Sequence, residues 1–119
     1  MESAQSTFVS STSWTERIGS TAALATIRKH RDYRVFEHLI HIGESIQHVW
    51  RSEADKAGLR IHVSGLAPLS HFSFEGYDEA QAMSTLFVQS MLDRDILAAK
   101  SFYSTFAHTD KHVERFRQA

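Results

Sequence analysis

The feature that most constrains this chain is a long amphipathic stripe in its middle third. If each residue advances about 100° around a helix, Val35, Leu39, Ile42, Ile46, Val49 and Trp50 fall within roughly 60° of one line. Phe36 and Ile40 widen the stripe on one side. The spacing predicts a helix from just after the break at Asp32 or Tyr33 to about Ala57. Gly58 then sits where a left-handed residue ends a helix. Such a stripe has to be buried against a second layer. The chain has 119 residues, enough for one core, and eight of them are Phe. One Pro and five Gly, against about 14 in average usage, imply short connections.

The flanking segments supply that layer. Glu16 to about Asp32 reads as an earlier helix, with Thr15 as its N-cap and Arg28, Lys29, His30 and Arg31 at its C-terminal end, which suits the helix dipole. Gly19 inside it suggests close packing. After Gly58, Arg60 to Ser64 and His71 to Glu75 alternate, placing Ile61 with Val63 and Phe72 with Phe74 on buried faces. They predict an antiparallel pair connected through Gly65 to Ser70, where Pro68 lies. Asp78 and Gln81 resemble a capping box that opens a helix carrying Met83, Phe87 and Met91 and ending near Arg94. Ser101 to Ala107 alternates again, with Phe102 and Phe106, as a third strand. Thr109 or Asp110 caps a last helix bearing Val113 and Phe116. The predicted order is α-α-β-β-α-β-α, an α+β fold with helices on one face of a three-stranded antiparallel sheet.

Composition excludes several functions. Without Cys there is no disulfide framework and no thiolate metal or redox site. Thirteen basic and fourteen acidic residues leave a net charge of -1, which does not point to nucleic acid or an anionic membrane. The apolar runs are too short to span a bilayer, and Met1 to Thr15 has no secretory pattern. A cytoplasmic protein is the expectation.

Eight His invite a metal reading. His38 and His41 are at i, i+3 and could share an ion. However, His41 and His48 fall opposite the apolar stripe, so a solvated face is the better reading. His62 and His71, on the polar sides of adjacent strands, could face each other as a surface pair. His108 follows an apolar strand and precedes a helix cap, which predicts a half-buried ring. It is either a general base or, preferably, a hydrogen-bonded structural histidine. Ser10 to Thr15 lies just before a helix, where hydroxyls and free N–H groups suit a phosphate, though Ser/Thr runs are also common in tails. Phe8, Val9 and Trp14 in the same stretch would need a surface to dock on. No metal site and no catalytic residue is assigned.

Several segments together carry a resemblance. Phe8-Val9-Ser10-Ser11-Thr12-Ser13-Trp14-Thr15-Glu16-Arg17-Ile18-Gly19 is followed by Ala22 to Ile27, then Gly65 to Leu69 before Phe72-Ser73-Phe74, then Phe87 to Arg94, and last Ala107-His108-Thr109. In order and spacing they resemble the C-terminal part of class III aminotransferases, pyridoxal-phosphate (PLP) enzymes of fold type I. Glutamate-1-semialdehyde 2,1-aminomutase and similar aminotransferases are the nearest likeness. The resemblance covers about residues 6 to 116.

The resemblance implies that residues 1–32 end a large cofactor domain and form a linking helix. Residues 33–119 would be the small C-terminal domain, a three-stranded antiparallel sheet covered by helices. It implies that Ser11 and Thr12 bind the cofactor phosphate of a partner subunit. It also implies a homodimer or a separate cofactor-domain chain as partner, and a small amino or keto acid as substrate. Three departures stand out. Lys29, Lys56, Lys100 and Lys111 all lack the glycine-rich context of the family's Schiff-base lysine. The Asp and aromatic that hold the cofactor ring are upstream in the family. Lys100 stands near the place where the aminomutases carry a Glu. The expectation is a C-terminal fragment of such an enzyme, not catalytic alone. A stand-alone α+β interaction module is the alternative, and a histidine-rich metal binder a weaker third.

Overall fold

A computed structural model describes residues 16–119. The chain divides into two compact units, Met1–Tyr33 and Arg34–Ala119. The described part of the first is helix α1, Arg17–Asp32, with Lys29, His30 and Arg31 in its last turn and no buried residue. The expected cap, Thr15, lies outside the described residues. Glu16 holds the N-cap position, without a side-chain hydrogen bond. The close packing expected at Gly19 is absent, since nothing described lies within 4 Å of a Cβ built there.

The second unit is a three-stranded antiparallel sheet with helices on one face. Helix α2, Val35–Ala57, is the long amphipathic helix, and Gly58 ends it in the left-handed conformation. Strands β1, Ile61–Leu66, and β2, Leu69–Phe74, pair in register from Ile61 opposite Phe74 to Leu66 opposite Leu69. Both strands reach further toward the turn than the alternation indicates, so the connection is the dipeptide Ala67-Pro68 rather than a loop from Gly65 to Ser70. This tight turn packs on α2 at Gly43, where the absence of a side chain lets the backbone at Ala67 and Pro68 approach.

Helix α3, Ala80–Leu92, ends two residues before Arg94. Its expected Asp78–Gln81 capping box does not form. The first helical hydrogen bond runs from Met83 N–H to Glu79 O, so Glu79 is the N-cap, one residue later than the box requires. Strand β3 is Ser101–Tyr103 and pairs with β2, giving the order β1-β2-β3. It stops well short of Ala107. Ser104 N–H donates to Pro68 O at 2.9 Å, and the chain then closes a turn from His108 N–H to Thr105 O. Helix α4, Asp110–Gln118, completes the unit.

Ile42, Ile46, Val49 and Trp50 of α2 meet Phe72 and Val113 in one core, flanked by Ile61, Val63, Phe74 and Phe87. The centre of the α2 stripe is thus buried as its periodicity predicts, whereas Phe36 and Ile40, expected to widen it, are exposed. Phe72 packs its ring on Trp50 at 5.0 Å and edge-on to Phe87 at 5.3 Å. Buried Ser70 ties the hairpin to the helix: its hydroxyl donates to Ala67 O at 2.7 Å and accepts from Gln47 Nε2 at 2.8 Å.

Candidate functional site

The site grows from a short pattern at the end of β3, Thr105-Phe106-Ala107-His108-Thr109-Asp110-Lys111-His112, in which Thr-x-x-His occurs twice. In the first copy Thr105 N–H donates to His108 Nδ1 at 3.0 Å. In the second, Thr109 N–H donates to His112 Nδ1, also at 3.0 Å, closing a capping box on α4 with His in the place usually held by Glu or Gln. A ring nitrogen that accepts from a backbone amide carries no proton. Each ring therefore accepts at Nδ1 and keeps Nε2 as its N–H donor. His38 Nε2 donates to His108 O at 2.8 Å, which fixes this segment to α2. Burial pushes His108 below the ordinary histidine pKa, and the nearby His112 and His38 add to the shift.

Beside this segment lies a cavity of about 310 Å³ between α2, the 95–101 loop and α4. Ile46, Trp50, Phe102, Val113 and Phe116 form its apolar wall, and His108, His112, Arg115, Asp95 and Ser101 supply its polar groups. Trp50 is 6% exposed, and its Nε1–H has no hydrogen-bond acceptor. An unpaired buried donor costs about 1–3 kcal/mol. Asp95 holds a left-handed backbone with φ of 59°. A second cavity of about 280 Å³ on the Phe74 and Phe87 side is almost wholly apolar.

The other singled-out residues are scattered. Ser11 and Thr12, with Phe8, Val9 and Trp14, lie outside the described residues. His38 is half-buried and does not share a site with His41. His41 is exposed and pairs with Asp110 at 2.9 Å, and His48 is exposed. His62 and His71 do not face each other: His62 is opposite Ser73, and Ser64 is opposite His71 and bonded to it at 2.9 Å. Among the described residues no group of three or more His, Asp or Glu is arranged to hold a metal ion. Among them also, no helix is long and apolar enough to cross a membrane.

The described chain thus defines a small α+β fold with one donor-rich cavity. No protein-family model matches the sequence, and no curated protein does. Among solved structures, that of the FumI protein of Sphingopyxis sp. MTA144 in its PLP internal aldimine form is similar to it. The match covers 98% of this chain at a TM-score of 0.84 and 20% identity. It spans 28% of that protein's chain. At this identity the likeness establishes the fold: the chain folds as part of that PLP protein does.

The described residues do not by themselves form a site for PLP. The cofactor is held through a lysine amine, and no lysine lines either of the two cavities described above. Lys56 pairs with Glu53 at 2.8 Å, and the Lys29 ammonium lies over the Tyr33 ring. Sequence reasoning missed Arg115, Asp95 and Trp50 as neighbours, because the turn after a three-residue strand brings them together. The repeated Thr-x-x-His was the available signal.

Proposed function

We propose that this chain is the small C-terminal domain, with its linking helix, of a fold type I PLP-dependent enzyme of the class III aminotransferase type. Its reaction would be amino-group transfer on a small amino or keto acid in the cytoplasm. The observation that carries this reading is the fold shared with a PLP protein over 98% of the chain. The colinear segments from Phe8 to Thr109 support it. In this reading Ser11 and Thr12 hold the cofactor phosphate of a partner subunit, and the partner is a second copy or a cofactor-domain chain. Lys100, where the aminomutases carry a Glu, counts against aminomutase chemistry. In this reading the chain is not catalytic alone, because Lys29, Lys56, Lys100 and Lys111 all lack the glycine-rich context of the family's Schiff-base lysine.

The test mixes the purified chain with PLP and an amino donor, then treats it with borohydride. Only scattered, low-yield lysine adducts and no ketoacid formation are expected. A single trapped lysine together with ketoacid formation at enzyme-like rates overturns the reading.

A second reading, a stand-alone interaction module, draws on exposed apolar residues at the hairpin end, Leu66 at 73%, Leu69 at 51% and Tyr103 at 66%. Light scattering separates the cases. A monomer at high concentration removes self-association as the function of that surface, and a dimer weakened by Leu66→Ser supports it.

A further inference from the structure

We infer that the cavity between α2, the 95–101 loop and α4 binds a small monocarboxylate with an aromatic or branched apolar body. This does not rest on the aminotransferase reading and survives its failure. The tautomers decide the chemistry. Nδ1 of His108 and of His112 are both occupied by backbone N–H groups, so each ring keeps Nε2–H as its free donor. Arg115, whose neighbour Arg117 takes the Glu114 carboxylate, lines the same cavity without an ion pair among the described residues. Trp50 lines the wall with its ring, and its Nε1–H is buried out of reach of the cavity. Three donor groups therefore line a space whose remaining wall is aromatic and aliphatic.

The acceptors there are few. Asp95 contributes a carboxylate without an ion pair and Ser101 a hydroxyl. Arg115 and Asp95 offset each other in charge, and each imidazole accepts at Nδ1 from a backbone N–H. A lining of net zero charge that is rich in donors favours a monoanion over a phosphate dianion. The volume, about 310 Å³, is roughly twice that of a cavity that holds benzene, about 150 Å³. It accommodates a ring with a short acidic arm. Trp50, Phe102 and Phe116 supply the ring faces.

The experiment titrates the full ¹⁵N-labelled chain with 3-phenylpropionate and follows the Trp50 indole N–H signal, assigned with Trp50→Phe. A saturable shift is expected. 3-Phenylpropanol, with the same body and no charge, should bind about tenfold more weakly, the equivalent of one charge-assisted hydrogen bond. Inorganic phosphate should leave the signal unmoved. Arg115→Gln, at an exposed position, should keep the spectrum folded and weaken the acid by about the same factor while leaving the alcohol unchanged. No saturable shift with the acid, equal affinity for acid and alcohol, or no effect of Arg115→Gln overturns the assignment.

Discussion

Replacing Gly43 with Ala should unfold the second unit more easily, although the same exchange usually strengthens a helix. Gly43 is in the interior of α2, where Ala is favoured by about 1 kcal/mol. Here the new methyl would enter the hairpin turn. It collides with the carbonyl of Ala67 and lies 2.9 Å from Pro68 N. Carbon atoms pack best at about 3.5–4.0 Å, so relieving the clash with the Ala67 carbonyl needs the turn to retreat by more than about 1 Å. All these atoms are backbone, and no side chain can swing aside. The turn is also tethered: the Ser70 hydroxyl holds Ala67 O at 2.7 Å and is itself held by Gln47 from α2. Overpacking of this kind costs about 1–3 kcal/mol and sometimes more, and a strained Ser70 hydrogen bond adds about 1 kcal/mol. After the helix gain is subtracted, Gly43→Ala should destabilise by about 2 kcal/mol. For a unit of this size that lowers Tm by about 8–16 °C. Urea melts followed by circular dichroism read the change as a lower midpoint at constant slope. A variant as stable as the parent would show that the turn is free to move, and would refute the reasoning.

Gly19→Ala is the internal contrast: with open space around it in α1, it should raise helical ellipticity and helix stability by about 1 kcal/mol. Ser70→Ala, which strips a buried hydroxyl from Gln47 and Ala67, should cost about 1–3 kcal/mol in urea melts. His112→Ala removes the acceptor for Thr109 N–H and should cost about 1 kcal/mol, with faster amide exchange at Thr109 as the local signature.

Much of this fold is legible because its elements are periodic over many residues. The α2 stripe names its buried face and nearly its ends, since the 3.6 period, the break after Asp32 and the C-terminal Gly58 agree. The strands are legible in kind but not in extent. Leu66 and Leu69 flank Ala67-Pro68 without alternating polarity, and both are exposed, so no burial pattern marks the hairpin tip. β3 is overcalled for the opposite reason. Phe102 and Phe106 suggest one alternating strand, but only Phe102 faces the core, and hydrogen bonds from Ser104 and His108 end the ladder between them.

The same turn explains why the site is hidden in the sequence, and it leads to a pH prediction. Thr-x-x-His reads as two unremarked pairs until the chain bends and each Thr amide reaches its own His ring. Once it does, the His108 ring serves the fold only while its Nδ1 is unprotonated. The sign follows from linkage. Burial lowers His108 below its unfolded pKa, near 6.5, so in the window beneath 6.5 the unfolded chain binds more protons than the folded one. Stability then rises with pH through that window and is lost on acidification. The charged and titratable groups around the ring are His38 from α2, His112 and Arg115 from α4, and Asp95 across the cavity. His112 and His38 add to burial in lowering the His108 pKa, which keeps the sign unchanged. Urea midpoints measured between about pH 5 and 8 should therefore fall toward the acid end. His108→Gln, whose amide oxygen can still accept from Thr105 N–H, should flatten the fall. A midpoint that rises on acidification, or a slope that His108→Gln leaves untouched, would mean that the ring is not held neutral by its place in this turn.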